Sequence, residues 1–397
     1  MTPPRTRSRT FLALAAALSA LGLAGIGAGC GSSDRSAVEV RLNKETARQS
    51  VLGFPALATK NTTRVGGKDP VADAAAVATA VYPSRSTSTR PQIVSLVNKD
   101  DWQAGIAAAV LMSPPLRAPL LLGARDSVPD ATSEVLDTLK PRGSTDVKGA
   151  QVLRVGDVAA PSGLRSTSVS GHDGFALADS IDLVLAEITG QPTPNVVVAS
   201  GDDQAFAMPA AGWAAKSGDP VFFVHKDSIP PATERAIKRH QRPTIYVLGP
   251  PAAISDAVLA KLRKLGDVKR IAGPNPVENA IAFARYTDGD FGWGVRDPGH
   301  GLVFANTGRP QDAGAGAALG ASGKYGPLLL LDSSTRLAPA LESYLLDIEP
   351  GYRFDPVRGV YNHAWLMGDE SAISVDLQAR IDQLMEIVRV KQQGSSG

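Results

Sequence analysis

The sequence has a single cysteine, Cys30, in 397 residues. One thiol excludes an internal disulfide framework and any zinc site built on cysteines. Aromatic residues are scarce, at 5%. The five histidines (His172, His225, His240, His300 and His363) show neither i, i+4 pairing nor metal-ligand spacing, so no metal and no cofactor is expected. There is no nucleophile elbow, Walker sequence or kinase signature. Gly314, Gly316 and Gly320 resemble a dinucleotide loop only faintly, because the third glycine falls one residue late. The expectation is therefore a protein without catalytic turnover. An excess of one charge is missing too. The formal net charge is +2, and without Arg5, Arg7 and Arg9 the chain has 38 basic against 39 acidic residues. That balance gives no electrostatic footprint for nucleic acid.

What is present begins at the N-terminus. Residues 1–29 have a basic start, an apolar stretch from Phe11 to about Leu23, and small residues running into Cys30. This pattern reads as an export signal, too short and wrongly flanked for a permanent membrane span. Gly27, Ala28, Gly29 and Cys30 resemble a lipobox, with glycine where leucine is usual. Cys30 is thus the expected lipidation site, and two or more acyl chains suffice for stable anchoring. Residues 30–60 read as the lipidated cysteine and a tether, with a possible edge strand at 37–42, and 391–397 as a disordered tail.

The rest of the chain is written three times. Aliphatic strands start at Val94, Val196 and Leu302, at steps of 102 and 106. Prolines opening a second strand, Pro119, Pro220 and Pro327, recur at 101 and 107. Gly67, Gly171 and Gly273 each precede a helical segment, and Gly156, Gly249 and Gly368 each close a strand. So many landmarks in one order indicate internal triplication. Within each copy strand and helix alternate, which calls for mostly parallel sheets with helices on both faces. The copies span 61–168, 169–269 and 270–390. The spacing predicts an opening helix over 70–82, another over 274–286, and a closing amphipathic helix over 373–390 with Leu377, Ile381, Leu384 and Val388 inward.

Several of these residues carry a family likeness: Arg270-Ile271-Ala272-Gly273, the loop at 197–202, the proline-led strands at 119–122, 220–223 and 327–330, and Leu248 to Ser255. Together they resemble the bacterial cell wall-binding repeat type 2 family, whose modules usually come in threes. The resemblance implies three flavodoxin-like α/β modules in a pseudo-threefold ring, in one monomer. It also implies non-covalent binding of an anionic cell-wall polymer or peptidoglycan-associated glycan, at the outer face of the cytoplasmic membrane or in the envelope. Membrane contact would be through the lipid anchor only.

Open parallel sheets bind ligands beyond their carboxyl edges. The candidate ligand residues are therefore Asn98, Asp101, Ser200, Asp202, Asp203, Asn306 and Arg309, followed by Arg125, Lys226 and Asp332. Arg235, Lys238, Arg239 and Arg242 would form a basic helical stripe for an anionic polymer, or else a solvated face. Asp202 and Asp203 also suit helix capping. Two rivals stay open. A solute-binding lipoprotein of a transporter would show two lobes and a hinge. A wall hydrolase would show an acid–base pair at a suitable separation.

Overall fold

The computed structural model describes residues 57–321, 323 and 326–390. The lipidation candidate Cys30, the possible strand at 37–42 and the tail at 391–397 lie outside them. The described residues open with β1 (Leu57–Ala58), β2 (Thr62–Val65) and α1 (Pro70–Val81). A first set follows: β3 (Val94–Asn98), α2 (Trp102–Ala108), β4 (Leu120–Gly123), α3 (Asp130–Leu139), β5 (Val152–Val155) and β6 (Ser166–Val169). The second set is α4 (Gly174–Thr189), β7 (Asn195–Ser200), α5 (Gln204–Ala207), α6 (Pro209–Ser217), β8 (Val221–Val224), α7 (Pro231–Arg239), β9 (Thr244–Leu248), α8 (Asp256–Leu262) and β10 (Asp267–Ile271). The third is α9 (Pro276–Arg285), β11 (Gly301–Asn306), α10 (Gln311–Ala321), β12 (Leu328–Leu331), α11 (Pro339–Asp347), β13 (Gly351–Tyr352), β14 (His363–Met367), α12 (Val375–Leu384) and β15 (Val388–Arg389).

Local chemistry sets these boundaries. Asp69 accepts from the Ala72 N–H and Pro70 takes the first helical position, so α1 starts where its missing N–H costs nothing. Pro209 likewise opens α6, directly after the short α5. The strands β4, β8 and β12 are buried along their whole length. That fits aliphatic runs covered on both faces.

Three sheets share one strand order. They read β4-β3-β5-β6, β8-β7-β9-β10 and β12-β11-β14-β2-β1. All pairs are parallel except β1 with β2. Register repeats as well: Ser95 pairs with Leu120, Val197 with Val221 and Val303 with Leu328. The fourth strand of the third sheet is the exception in connectivity. It is β2, from the beginning of the described chain, and it pairs with β14. The chain thus closes on itself, and this is an architecture of three equivalent sheets rather than two hinged lobes.

Arginines hold the fourth strands. Arg64 on β2 is buried and donates to the carbonyls of Gly368 (3.0 Å), Asp369 (2.7 Å) and Ile373 (2.6 Å). Arg270 on β10 does the same for Gly249 (2.6 Å) and Ile254 (2.8 Å). In each case the guanidinium satisfies carbonyls in the loop after the third strand. The first sheet has Ser168 at this place.

At the centre α2, α6 and α10 pack on one another. Residues Asp312 to Gly320 of α10 are all buried, so this helix has no solvent face. Its small side chains let the backbones meet. A Cβ on Gly314 would lie 2.4 Å from the Gly105 carbonyl oxygen, closer than any side chain permits. One apolar core reaches all three sheets, and a second, smaller cluster packs α1 and α3 on the first sheet.

Two expectations need correction. The closing helix stops at Leu384, and Val388 stands exposed in β15, paired with β13, instead of facing inward. The proposed stripe is also shorter than its spacing predicts: α7 ends at Arg239, and Arg242 follows with φ +67°.

Candidate functional site

The carboxyl ends of the strands lead into loops whose polar side chains are mostly engaged with their own backbone. Asn98 donates to the Asp157 carbonyl (2.9 Å) and accepts from the Asp100 N–H (3.0 Å). Asp101 caps α2 through the Ala104 N–H, and burial pushes its carboxyl above the usual range despite that bond. In the second copy, Ser200 is buried and accepts from the N–H groups of Asp202 and Asp203. Asp203 caps α5. Asp202 does not cap; it meets the His225 ring at 2.6 Å and the Lys226 N–H at 2.8 Å. Partial burial works against its ionisation, but these bonds hold it below the usual carboxylate range.

In the third copy Asn306 repeats the Asn98 arrangement, donating to the Ala372 carbonyl (3.2 Å) and accepting from the Gly308 N–H (2.9 Å), and the departure comes three residues later. Arg309 falls where the first two copies have the capping Asp101 and Asp203, and it turns inward. Its guanidinium bridges Asp312 (2.8 Å) and Asp73 on α1, both buried carboxylates. Asp73 also accepts from the Gly67 N–H at 2.5 Å. Burial and the neighbouring Asp312 push Asp73 well above the usual carboxylate range. One cation cannot neutralise both, so the pair retains a proton more readily than isolated carboxylates would.

The basic stripe on α7 is a helix contact. Arg235 meets Asp179 at 2.7 Å, and Arg239 meets Asp179 at 2.5 Å and Asp182 at 2.8 Å. Both acids lie on α4 and are buried. Lys238 pairs with Glu234. Arg125 forms an exposed bridge to Asp157, and Lys226 and Asp332 are exposed at strand ends. Among the described residues, the structure does not bring these candidates into one constellation.

An open cleft lies elsewhere, just above the Arg309 network. It measures about 700 Å³ and is formed by the start of α1 (Lys68 to Ala72), Lys99 and Asp100 after β3, Pro129 to Ala131 at the start of α3, and Gln311 at the start of α10. The starts of α1, α3 and α10 thus border one space, with the Ala72 N–H already capped by Asp69. Lys68 is exposed, and Lys99 reaches Asp100 at 2.8 Å. Only the loop after β3 was legible as a candidate from sequence. Lys68 carries no such signal, because it follows β2, whose partner sheet cannot be read from spacing.

The equivalent position in the second copy is filled. The Phe175 ring packs on the His225 ring at a tilt of 52°, with centroids 4.8 Å apart, and Gln103 donates to the Gly201 carbonyl at 3.1 Å. A Cβ on Gly201 would lie 2.7 Å from the Phe175 ring, so the glycine makes room for the plug.

Residues 169–259 match the family described as Cell wall binding domain 2 (CWB2). Two curated proteins of Bacillus subtilis (strain 168) are similar. The Amidase enhancer is 34% identical over 110 residues, 27% of this chain and 16% of its own. N-acetylmuramoyl-L-alanine amidase LytC is 27% identical over 227 residues, 57% of this chain and 43% of its own. The chain therefore spans less than half of each of these relatives. Two solved structures share the fold: Cwp6 and Cwp8 from Clostridium difficile, each with a TM-score of 0.63 over 82% of this chain. Identity is 17% and 20%, and 48% and 52% of those chains are covered.

Proposed function

We propose that this chain, which carries a cell wall-binding repeat of the CWB2 family, holds an anionic cell-wall polymer non-covalently and without turnover. The observation that carries the reading is the open cleft where α1, the first sheet and α10 meet. Its size suits a short run of sugar units. Lys68 and Lys99 supply charge-assisted contacts to acidic groups on the polymer. Asp100 and Asp130 accept hydrogen bonds from sugar hydroxyls. Because acids and bases are mixed in the cleft, added salt weakens binding only modestly. Cys30 carries the lipid that anchors the protein at the outer face of the membrane, so that the protein bridges membrane and wall.

The test compares variants in cosedimentation with purified walls. The Lys68→Gln/Lys99→Gln double variant is expected to bind about a hundredfold or more weakly, since each charged hydrogen bond contributes roughly 1.5–3 kcal/mol. An Arg235→Gln variant is expected to bind as the parent does. If Arg235→Gln loses binding and the lysine variant keeps it, the α7 stripe is the site and the cleft is not. Retention of a Cys30→Ala variant in the membrane fraction would contradict the anchor.

A further inference from the structure

The three copies build one kind of junction, where a central helix meets the loop of the next copy. Backbone register fixes the equivalence. The N–H groups of Lys99, Gly201 and Thr307 donate to the carbonyls of Gly123, Val224 and Leu331, at 2.8, 2.8 and 2.9 Å. Gln103 follows Asp101 by two residues, as Gln311 follows Arg309, so the two glutamines correspond. Val71 and Phe175 correspond as well, each the second residue of a helix capped by an aspartate, Asp69 or Asp173. At the remaining junction Ala205 takes the glutamine's place, and Val277, in the place of Phe175, is buried.

The second copy fills its junction with two groups of its own. The Gln103 amide donates to the amide carbonyl of Gly201 at 3.1 Å. The Phe175 ring lies against the same glycine, where a Cβ would be 2.7 Å from it. Gln103 can come this close because Gly174 opens the helix opposite. A Cβ on Gly174 would lie 2.2 Å from the Gln103 side-chain oxygen. The glutamine there meets an amide carbonyl with an apolar group beside it.

At the open cleft the chain supplies neither group. Pro70 stands where Gly174 opens α4, and its ring excludes the approach that Gln103 makes. Val71 puts a smaller side chain where Phe175 puts a ring. Gln311 is half-buried and borders the cleft together with Pro70, Val71, Ala72 and Ala131. Among the described residues its side-chain amide has no hydrogen-bond partner. A half-buried amide beside apolar walls favours a ligand group that brings both an acceptor and apolar surface.

We propose that Gln311 and Val71 form a subsite for an acetamido group, so that the cleft selects N-acetylated sugars within its polymer. Gln311 donates to the acetamido carbonyl, as Gln103 does to the Gly201 carbonyl. The acetyl methyl packs on Val71 and Ala131. A sugar with a hydroxyl in that position could accept from Gln311 but would leave the apolar wall wet. The inference rests on the cleft being the polymer site and adds the class of sugar that it takes.

The test titrates the full chain with chitotetraose and cellotetraose, neutral tetramers of N-acetylglucosamine and of glucose that differ only in acetamido for hydroxyl. Chitotetraose is expected to bind about tenfold more tightly. Gln311→Ala should weaken chitotetraose about fivefold and leave cellotetraose unchanged, a split that a merely structural loss would not produce. Gln311→Glu, which keeps the length without the donor, should lose the preference too. Val71→Phe, which copies the plug of the second copy, should weaken both tetramers, and Gln103→Ala should change neither. Equal affinity for the two tetramers, binding of neither, or a preference that survives both Gln311 variants overturns the proposal. If walls still cosediment and Lys68→Gln/Lys99→Gln still weakens that, the polymer reading of the cleft stands without it.

Discussion

Arg309, at the start of α10, forms an ion pair with Asp73 on α1, 236 positions earlier in the chain. The bond fastens the helix that follows β2 to the central helix of the third copy. It works alongside the pairing of β2 with β14, and together they close the ring of sheets.

Arg309→Met should therefore be strongly destabilising. It would leave Asp73 and Asp312 buried with no cation, at a cost of about 3–5 kcal/mol. Urea unfolding measures this directly. A cost below about 1 kcal/mol would show that the network does not close the fold.

The same pair predicts a pH dependence. Asp73 has a folded-state pKa raised above its ordinary 3.8. Its contribution to stability is then full below that ordinary value and is lost as the pH rises through the higher, folded one. Asp73→Asn keeps an acceptor for the Gly67 N–H, as Asn279 does for Gly273 in the third copy. The difference in melting temperature between parent and variant should therefore change in the parent's disfavour as the pH rises above 3.8. A difference that is flat with pH would contradict the assignment.

Gly314 tests the packing at the centre. Gly314→Val has to displace the Gly105 backbone, where a Cβ would already lie 2.4 Å from the carbonyl oxygen. Overpacking of this kind costs about 1–3 kcal/mol, read as a lower denaturant midpoint. Gly323→Val, with open space around its Cβ but φ +62°, isolates the effect of backbone strain from that of crowding.

Arg64→Leu should loosen one sheet selectively. It removes the donors for the carbonyls of Gly368, Asp369 and Ile373, and buried acceptors left unpaired cost roughly 1–3 kcal/mol each. Faster hydrogen exchange is expected in β14 and β2, with β7 and β9 less affected. Uniform acceleration across all three sheets would mean that the core unfolds as one unit.

Much of the fold was legible because strand spacing and turn residues are local signals. Val94, Val196 and Leu302 fall in equivalent strands, and the prolines before β4, β8 and β12 mark their starts. The partner of β2 was not legible, since a four-residue strand carries no mark of the sheet it joins. The last helix is shorter than its spacing predicts because Val388 keeps the helical spacing, while pairing with β13 draws it into a strand. For the site, the loops were visible but their occupation was not. Asp101 and Asp203 cap helices as their residue type suggests. Arg309 looks like a ligand residue in sequence and is consumed by two buried acids that come from outside its loop.

The most direct measurement is cosedimentation of the unmodified chain with purified walls before and after removal of their anionic polymers. The account predicts saturable binding to intact walls and a clear loss on stripping. Absence of binding to either preparation would contradict it.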